Sequence, residues 1–150
     1  MATQLKDFGS TVVAVVEPET PALVVAQVMR RHHVGALVVV DAEEKSHPIG
    51  IVTDRDLVLE LVAEGLDPAV FTAGDIMTIN LVTARPDMDA MDAVELMSKH
   101  QLRRLVIADD AGRLVGIVTL EDIVELLARE LGSLAAGLAS ARDRETRQRS

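Results

Sequence analysis

Thr53 and Thr119 each stand three residues ahead of an aspartate, Asp56 and Asp122, and each follows a Gly-Ile-Val run at 50–52 and 116–118. The spacing carries chemistry if a strand ends at the threonine and a helix begins after it. The first amides of a helix lack intrahelical partners and sit at the positive end of its dipole. With the hydroxyl they can hold a phosphate without a full positive charge. The aspartate lies one turn on and on the same face, where it can accept two hydrogen bonds from neighbouring hydroxyls such as a ribose offers. Gly50 and Gly116 leave the strand open to a flat group. The same residues also spell a capping box, in which threonine and acid satisfy each other's backbone amides and no ligand is involved. Occurrence twice in one chain favours the ligand, because a duplicated unit creates paired clefts at its pseudo-twofold axis.

The elements that must position these residues are themselves written twice. Residues 49–57, IGIVTDRDL, and 115–123, VGIVTLEDI, match at an offset of 66. Upstream an offset of 68 pairs Asp7 with Asp75, Pro18 with Pro86, Ala22 with Ala90, Met29 with Met97 and His32 with His100. The two-residue difference falls in the polar stretch Asp41 to Pro48, against Asp109 to Arg113, where a surface loop absorbs it. Val12 to Val16 and Leu81 to Thr83 suit short strands stopped by Glu17-Pro18 and Arg85-Pro86. Helices follow to about His32 and His100. Thr20-Pro21 offers the first an N-cap and a preset first position, and Asp87 and Asp89 suit the positive end of the second. Ala36 to Val40 and Arg104 to Ala108 read as strands, as do Ile49 to Thr53 and Leu114 to Thr119. Each copy is β-α-β-β-α. The first spans 5–64 and the second 75–131, with a linker at 65–74.

The closing helices, Asp54 to Glu64 and Leu120 to Leu131, are apolar over far more than one core-facing stripe, which predicts a homodimer built partly on them. Residues 132–150 form a C-terminal extension, small and apolar to Ser140 and then polar with four arginines, expected to be partly disordered with a frayed end. Of 150 residues 49% are hydrophobic, yet only two are Phe and none Tyr or Trp, so the core must be aliphatic. The absence of Cys excludes disulfides, thiolate catalysis and Cys-ligated zinc. Fifteen Lys and Arg against 24 Asp and Glu leave a charge of −9, the wrong sign for collecting phosphate backbones, so nucleic acid is disfavoured. No apolar run reaches the ~18 residues of a membrane span and no basic-then-apolar leader opens the chain, which reads as cytoplasmic.

The span from about Leu5 to Leu131 resembles a tandem pair of cystathionine-β-synthase-type (CBS) domains, a Bateman module of the small stand-alone bacterial type. The resemblance is carried by residues 33–41, HVGALVVVD, leading into 49–57, by residues 103–107, RRLVI, leading into 115–123, and by the lead-in Asp75-Ile76-Met77-Thr78. It implies an α+β fold, two repeats packed through their sheets about a pseudo-twofold axis. It also implies a regulatory module for AMP, ADP or ATP, or S-adenosylmethionine, acting on an unidentified regulated protein, with no catalytic cofactor. By the resemblance Asp56 and Asp122 would hold ribose hydroxyls, and Thr53 and Thr119 would approach phosphate. Val13 to Val15, Val34 and Ile51 would frame one base; Leu81 to Thr83, Leu102 and Ile117 would frame the other. Arg103 and Arg104 would serve the Asp56 cleft, ranked first for a phosphorylated nucleotide. Gly35 and Ala36 would serve the Asp122 cleft without adding charge, and Glu121 would further disfavour phosphate there.

Other chemistry is thinly supported. His32-His33 and His100 lack metal-ligand spacing and suit helix C-termini instead. Met29, Met88, Met91 and Met97 read as core fillers. No glycine-rich phosphate loop and no coherent nucleophile, base and orienting group is present, so catalysis is not expected. The competing function is a ligand-independent dimeric scaffold with vestigial clefts.

Overall fold

A computed structural model describes residues 3–10 and 13–149, with backbone only for Arg149; Val12 of the expected first strand lies outside the described residues. Two three-stranded sheets form the centre. The first is ordered β1 (Val15–Val16), β2 (Ala36–Val40), β3 (Pro48–Thr53), and the second β4 (Thr83–Ala84), β5 (Arg104–Ala108), β6 (Leu114–Thr119). In each, the first pair is parallel and the second antiparallel. The registers repeat: Val15 faces Val38 as Thr83 faces Val106, and Ala36 faces Thr53 as Arg104 faces Thr119. The two-residue offset is absorbed where expected. Asp41 and Asp109 donate their amides to His47 and Arg113, each at 2.9 Å, closing loops of different length in the same way.

Helices α1 (Ala22–His32) and α4 (Ala90–His100) end where the sequence predicts, each on a left-handed residue, His33 (φ 54°) and Gln101 (φ 56°). The amide of the next residue then bonds back to Met29 or Met97, the closure typical of a helix terminated this way. The expected Thr20 N-cap is not used. Pro21 takes that position with no side-chain cap, and the linker instead satisfies the first amides, Phe71 accepting from Ala22 and Pro68 from Leu23. Helix α2 (Asp54–Asp56) widens at once into a π-type turn, Leu57–Val62, and α3 (Ala73–Ile76) is one turn long. Helix α5 runs from Leu120 to Arg149 without a break, so the polar end expected to fray is helical. Ala-rich and Arg-rich sequence favours helix intrinsically, a signal that polarity alone obscures.

Val38, Val40 and Val106 are buried between the two sheets with Val13, Ile51, Leu81 and Leu114 against them, so the repeats pack through their sheets. Two further cores lie under the helices, and they reveal an exchange. Leu5, fully buried, packs with Ala93, Leu105, Ile107 and Val118 of the second repeat. Its amide bonds Met88, and Ala90 bonds Thr3. In return Ala73 is buried with Val25, Leu37 and Val52 of the first repeat, and its amide bonds Thr20. Each lead-in therefore completes the other repeat's core. Ser10 pairs with Ile117, and Thr78 pairs with Ile51.

Candidate functional site

The predicted strand-to-helix threonines adopt the predicted geometry. Thr53 is extended (φ −110°, ψ 163°) and its amide donates to Asp56 Oδ2 at 2.8 Å, while the Asp56 amide donates to Thr53 Oγ1 at 3.2 Å. Thr119 and Asp122 repeat this at 2.9 and 3.1 Å. Both are thus true capping boxes, and Thr72–Asp75 forms a third at the start of α3. Capping occupies one carboxylate oxygen. Asp122 Oδ1 has no partner among the described residues, so cap and ligand contact are compatible uses of one side chain.

The Asp122 side opens a cavity of about 230 Å³, lined by Ser10, Val13, Ala14, Val34, Gly35, Ala36, Arg104, Ile117, Thr119 and Asp122. The exchanged lead-in explains this set. Pairing of Ser10 with Ile117, each amide bonded to the other's carbonyl at 3.0 Å, sets the first repeat's lead-in against β6 of the second, and Val13 and Ala14 line the same cavity. Val13 and Val34, assigned from the sequence to the Asp56 cleft, therefore lie on the Asp122 side. Ala14 shifts with Val13, whereas Ser10 is a residue the sequence reading missed; the duplicated lead-in Asp7–Ser10 is the signal that could have found it.

The charges also differ from expectation. Arg103 turns away to Glu121, its Nη2 2.6 Å from Oε1, with both side chains well exposed. Glu121 is held below the usual carboxylate range, first by its own backbone amide and then by Arg103, with Arg104 adding to the effect. The charge that was to repel an anion from the Asp122 cleft is thereby offset. Arg104, opposite Thr119 in the β5–β6 register, lines the Asp122 cavity instead of leaving it uncharged. It runs close to Gly35 and Asp54. A Cβ on Gly35 would lie 3.1 Å from Asp54 Oδ2 and 3.4 Å from an Arg104 guanidinium nitrogen.

The remaining assigned residues disperse. Ile51 is packed against the inter-sheet core. Val15 borders a groove with Glu17, Thr20 and Lys45. Leu81 and Thr83 line a separate cavity of about 560 Å³ with His47, Arg85 and Asp109, and Leu102 is exposed. Gly50 is not open to a flat group, because Met77 fills the place: a Cβ there would meet its sulfur and Cγ within 3 Å. Among the described residues no group of three His, Asp or Glu side chains gathers as a metal would require.

Comparison with known proteins decides the family. The CBS domain model matches twice, at residues 5–63 and 73–129. The chain belongs to the CBS domain family. CBS domain-containing protein YhcV of Bacillus subtilis is 38% identical over 137 residues, covering 91% of this chain and 92% of YhcV. Uncharacterized protein MK0525 of Methanopyrus kandleri is 44% identical over 109 residues, 73% of this chain, which spans 55% of that longer relative. The crystal structure of the CBS domain pair of protein MJ0100, in complex with 5′-methylthioadenosine and S-adenosyl-L-methionine, superposes with a TM-score of 0.77 at 28% identity. That match covers 87% of this chain and 99% of the MJ0100 chain. This CBS pair is thus an α+β molecule of two sheets and flanking helices, and among the described residues no helix is long and apolar enough to cross a membrane.

Proposed function

We propose that this CBS pair is a regulatory module that binds an adenine nucleotide, with the Asp122 cleft as its principal site. The observation that carries the reading is convergence on one cavity of a carboxylate oxygen free of the cap, the Thr119 hydroxyl, the Arg104 guanidinium and the apolar walls Val13, Val34 and Ile117. Asp122 would accept from ribose hydroxyls, the valines and Ile117 would clasp the base, and Arg104 would meet phosphate as a charge-assisted donor. The adenosine ligands of MJ0100 support this class. A cavity of about 230 Å³ is below the usual span of roughly 300–1,000 Å³, which favours a compact ligand such as AMP or ADP, with S-adenosylmethionine next, over ATP. The site lies where both repeats contribute walls, so a ligand that prefers one angle between them shifts the pair toward it, and an associated protein can respond to that shape. The reading includes a cytoplasmic homodimer and assigns no catalysis.

A thermal-shift series with adenine and guanine nucleotides tests it. AMP at about 100 times its dissociation constant should raise the midpoint by roughly 5–10 °C, because a ligand specific for the folded form adds ~2.7 kcal/mol at that excess. Equal response to guanine nucleotides would remove the adenine preference. No response at millimolar nucleotide would favour the ligand-independent scaffold, to which both capping boxes would then be sufficient explanation.

A further inference from the structure

Beyond Leu126 every residue of α5 through Gln148 is exposed; Thr3 Oγ1 donates to Glu130 Oε1 at 3.4 Å where the helix departs, and the remainder projects from the body. Such a segment does not hold itself together. Gly132 and Gly137 lie in open space within it, and each costs about 1 kcal/mol relative to Ala in a helix interior. Lone helices are marginal, and most helical stability comes from a packed face. The face is present: Val124, Leu127, Leu131, Leu134 and Leu138 are exposed by 56, 38, 65, 61 and 59%. Their spacing of three, four, three and four residues is the seam of a two-stranded coiled coil, continued by Ala141. A membrane-lying helix would call for a broader face with bulky aromatic residues, and the chain has no Trp.

Charge chooses the orientation. The start of α5 carries Glu121, Asp122 and Glu125, and its end carries Arg142, Arg144 and Arg147 against Asp143 and Glu145, so the end is basic on balance. Parallel pairing would set arginine against arginine, whereas antiparallel pairing sets the basic end of each helix over the acidic start of the other. We propose that the projecting part of α5 is a self-association element, pairing antiparallel with α5 of a second copy through the row Val124–Leu127–Leu131–Leu134–Leu138. In the register that centres the leucines, Leu131 faces the partner's Leu134, Leu127 the partner's Leu138, and Val124 the partner's Ala141. This specifies the surface and orientation of the homodimer included in the functional reading.

Light scattering on the full chain, with Leu131→Glu/Leu134→Glu beside it, tests the seam; both side chains are solvent-exposed in the protomer, so the variant should keep its fold, checked by circular dichroism. The expected result is a wild-type dimer whose dissociation constant rises roughly 100-fold or more in the variant, as charges replace two apolar layers. Orientation is read by crosslinking. The chain has no native Cys, so Val124→Cys and Ala141→Cys chains can be mixed and treated with a short bismaleimide. Antiparallel pairing gives the mixed 124–141 product, and predominant 124–124 or 141–141 products would overturn it. A variant dimer as tight as wild type would remove the seam while leaving a homodimer, and a wild-type monomer would remove both.

Discussion

Replacing Arg104 or Asp122 by Ala should each weaken AMP binding by roughly 10–100-fold in calorimetry, since hydrogen bonds to charged groups contribute about 1.5–3 kcal/mol. The two losses differ in kind. Arg104→Ala removes a charge-assisted donor and should also flatten the salt dependence. Asp122→Ala removes the proposed ribose acceptor and also the acid half of the Thr119 capping box, at a cost of about 1 kcal/mol of stability. Asp75→Ala separates these effects, because Asp75 makes the same cap at Thr72 and lines none of the Asp122 cavity. That variant should lose similar stability and keep its affinity. Arg103→Ala should change affinity little, because Arg103 is spent on Glu121. An Arg103 variant that loses binding while the Arg104 variant retains it would reverse the assignment of the two arginines.

Leu5→Ala should destabilise the protein by about 2–5 kcal/mol in urea or heat, the usual cost of emptying a fully buried leucine site. The position of the damage is the sharper expectation. Leu5 precedes the first repeat in sequence but packs with Leu105, Ile107 and Val118 of the second. Hydrogen exchange should therefore quicken at β5 and β6 more than at Leu37, Val39 and Val52 in the first. A change below ~0.5 kcal/mol, or one concentrated in β2 and β3, would contradict the exchanged lead-ins. The same exchange carries Ser10 to the wall of the Asp122 cavity, so this stability measurement also bears on how the site is built.

The duplication made most of the fold legible. Matched strands at offsets of 68 and 66, the helix ends at His32 and His100, and the strand-ending threonines all follow from local pattern. The exchange does not, because Asp7–Ser10 and Asp75–Thr78 are alike and either could close either repeat; only the three-dimensional pairing of Ser10 with Ile117 chooses. The appearance of Ser10 at the Asp122 cavity follows from that choice. Val13, just before β1, and Val34, between α1 and β2, both line the Asp122 cavity that Ser10 helps to wall. Arg103 and Arg104 look interchangeable as neighbours in sequence, but Arg103 lies in the bend before β5 and Arg104 is the first residue of the strand. One meets Glu121 and the other lines the cavity. The length of α5 was missed for a different reason: a solvated polar end and a solvated helix share a composition.

The central claim is tested most directly by a crystal structure of the chain grown with saturating AMP. The expected density has ribose hydroxyls on the Asp122 carboxylate, adenine against Val13, Val34 and Ile117, and phosphate toward Arg104. AMP seated beside Asp56 with the Asp122 cavity empty, or density for no nucleotide at all, would contradict it.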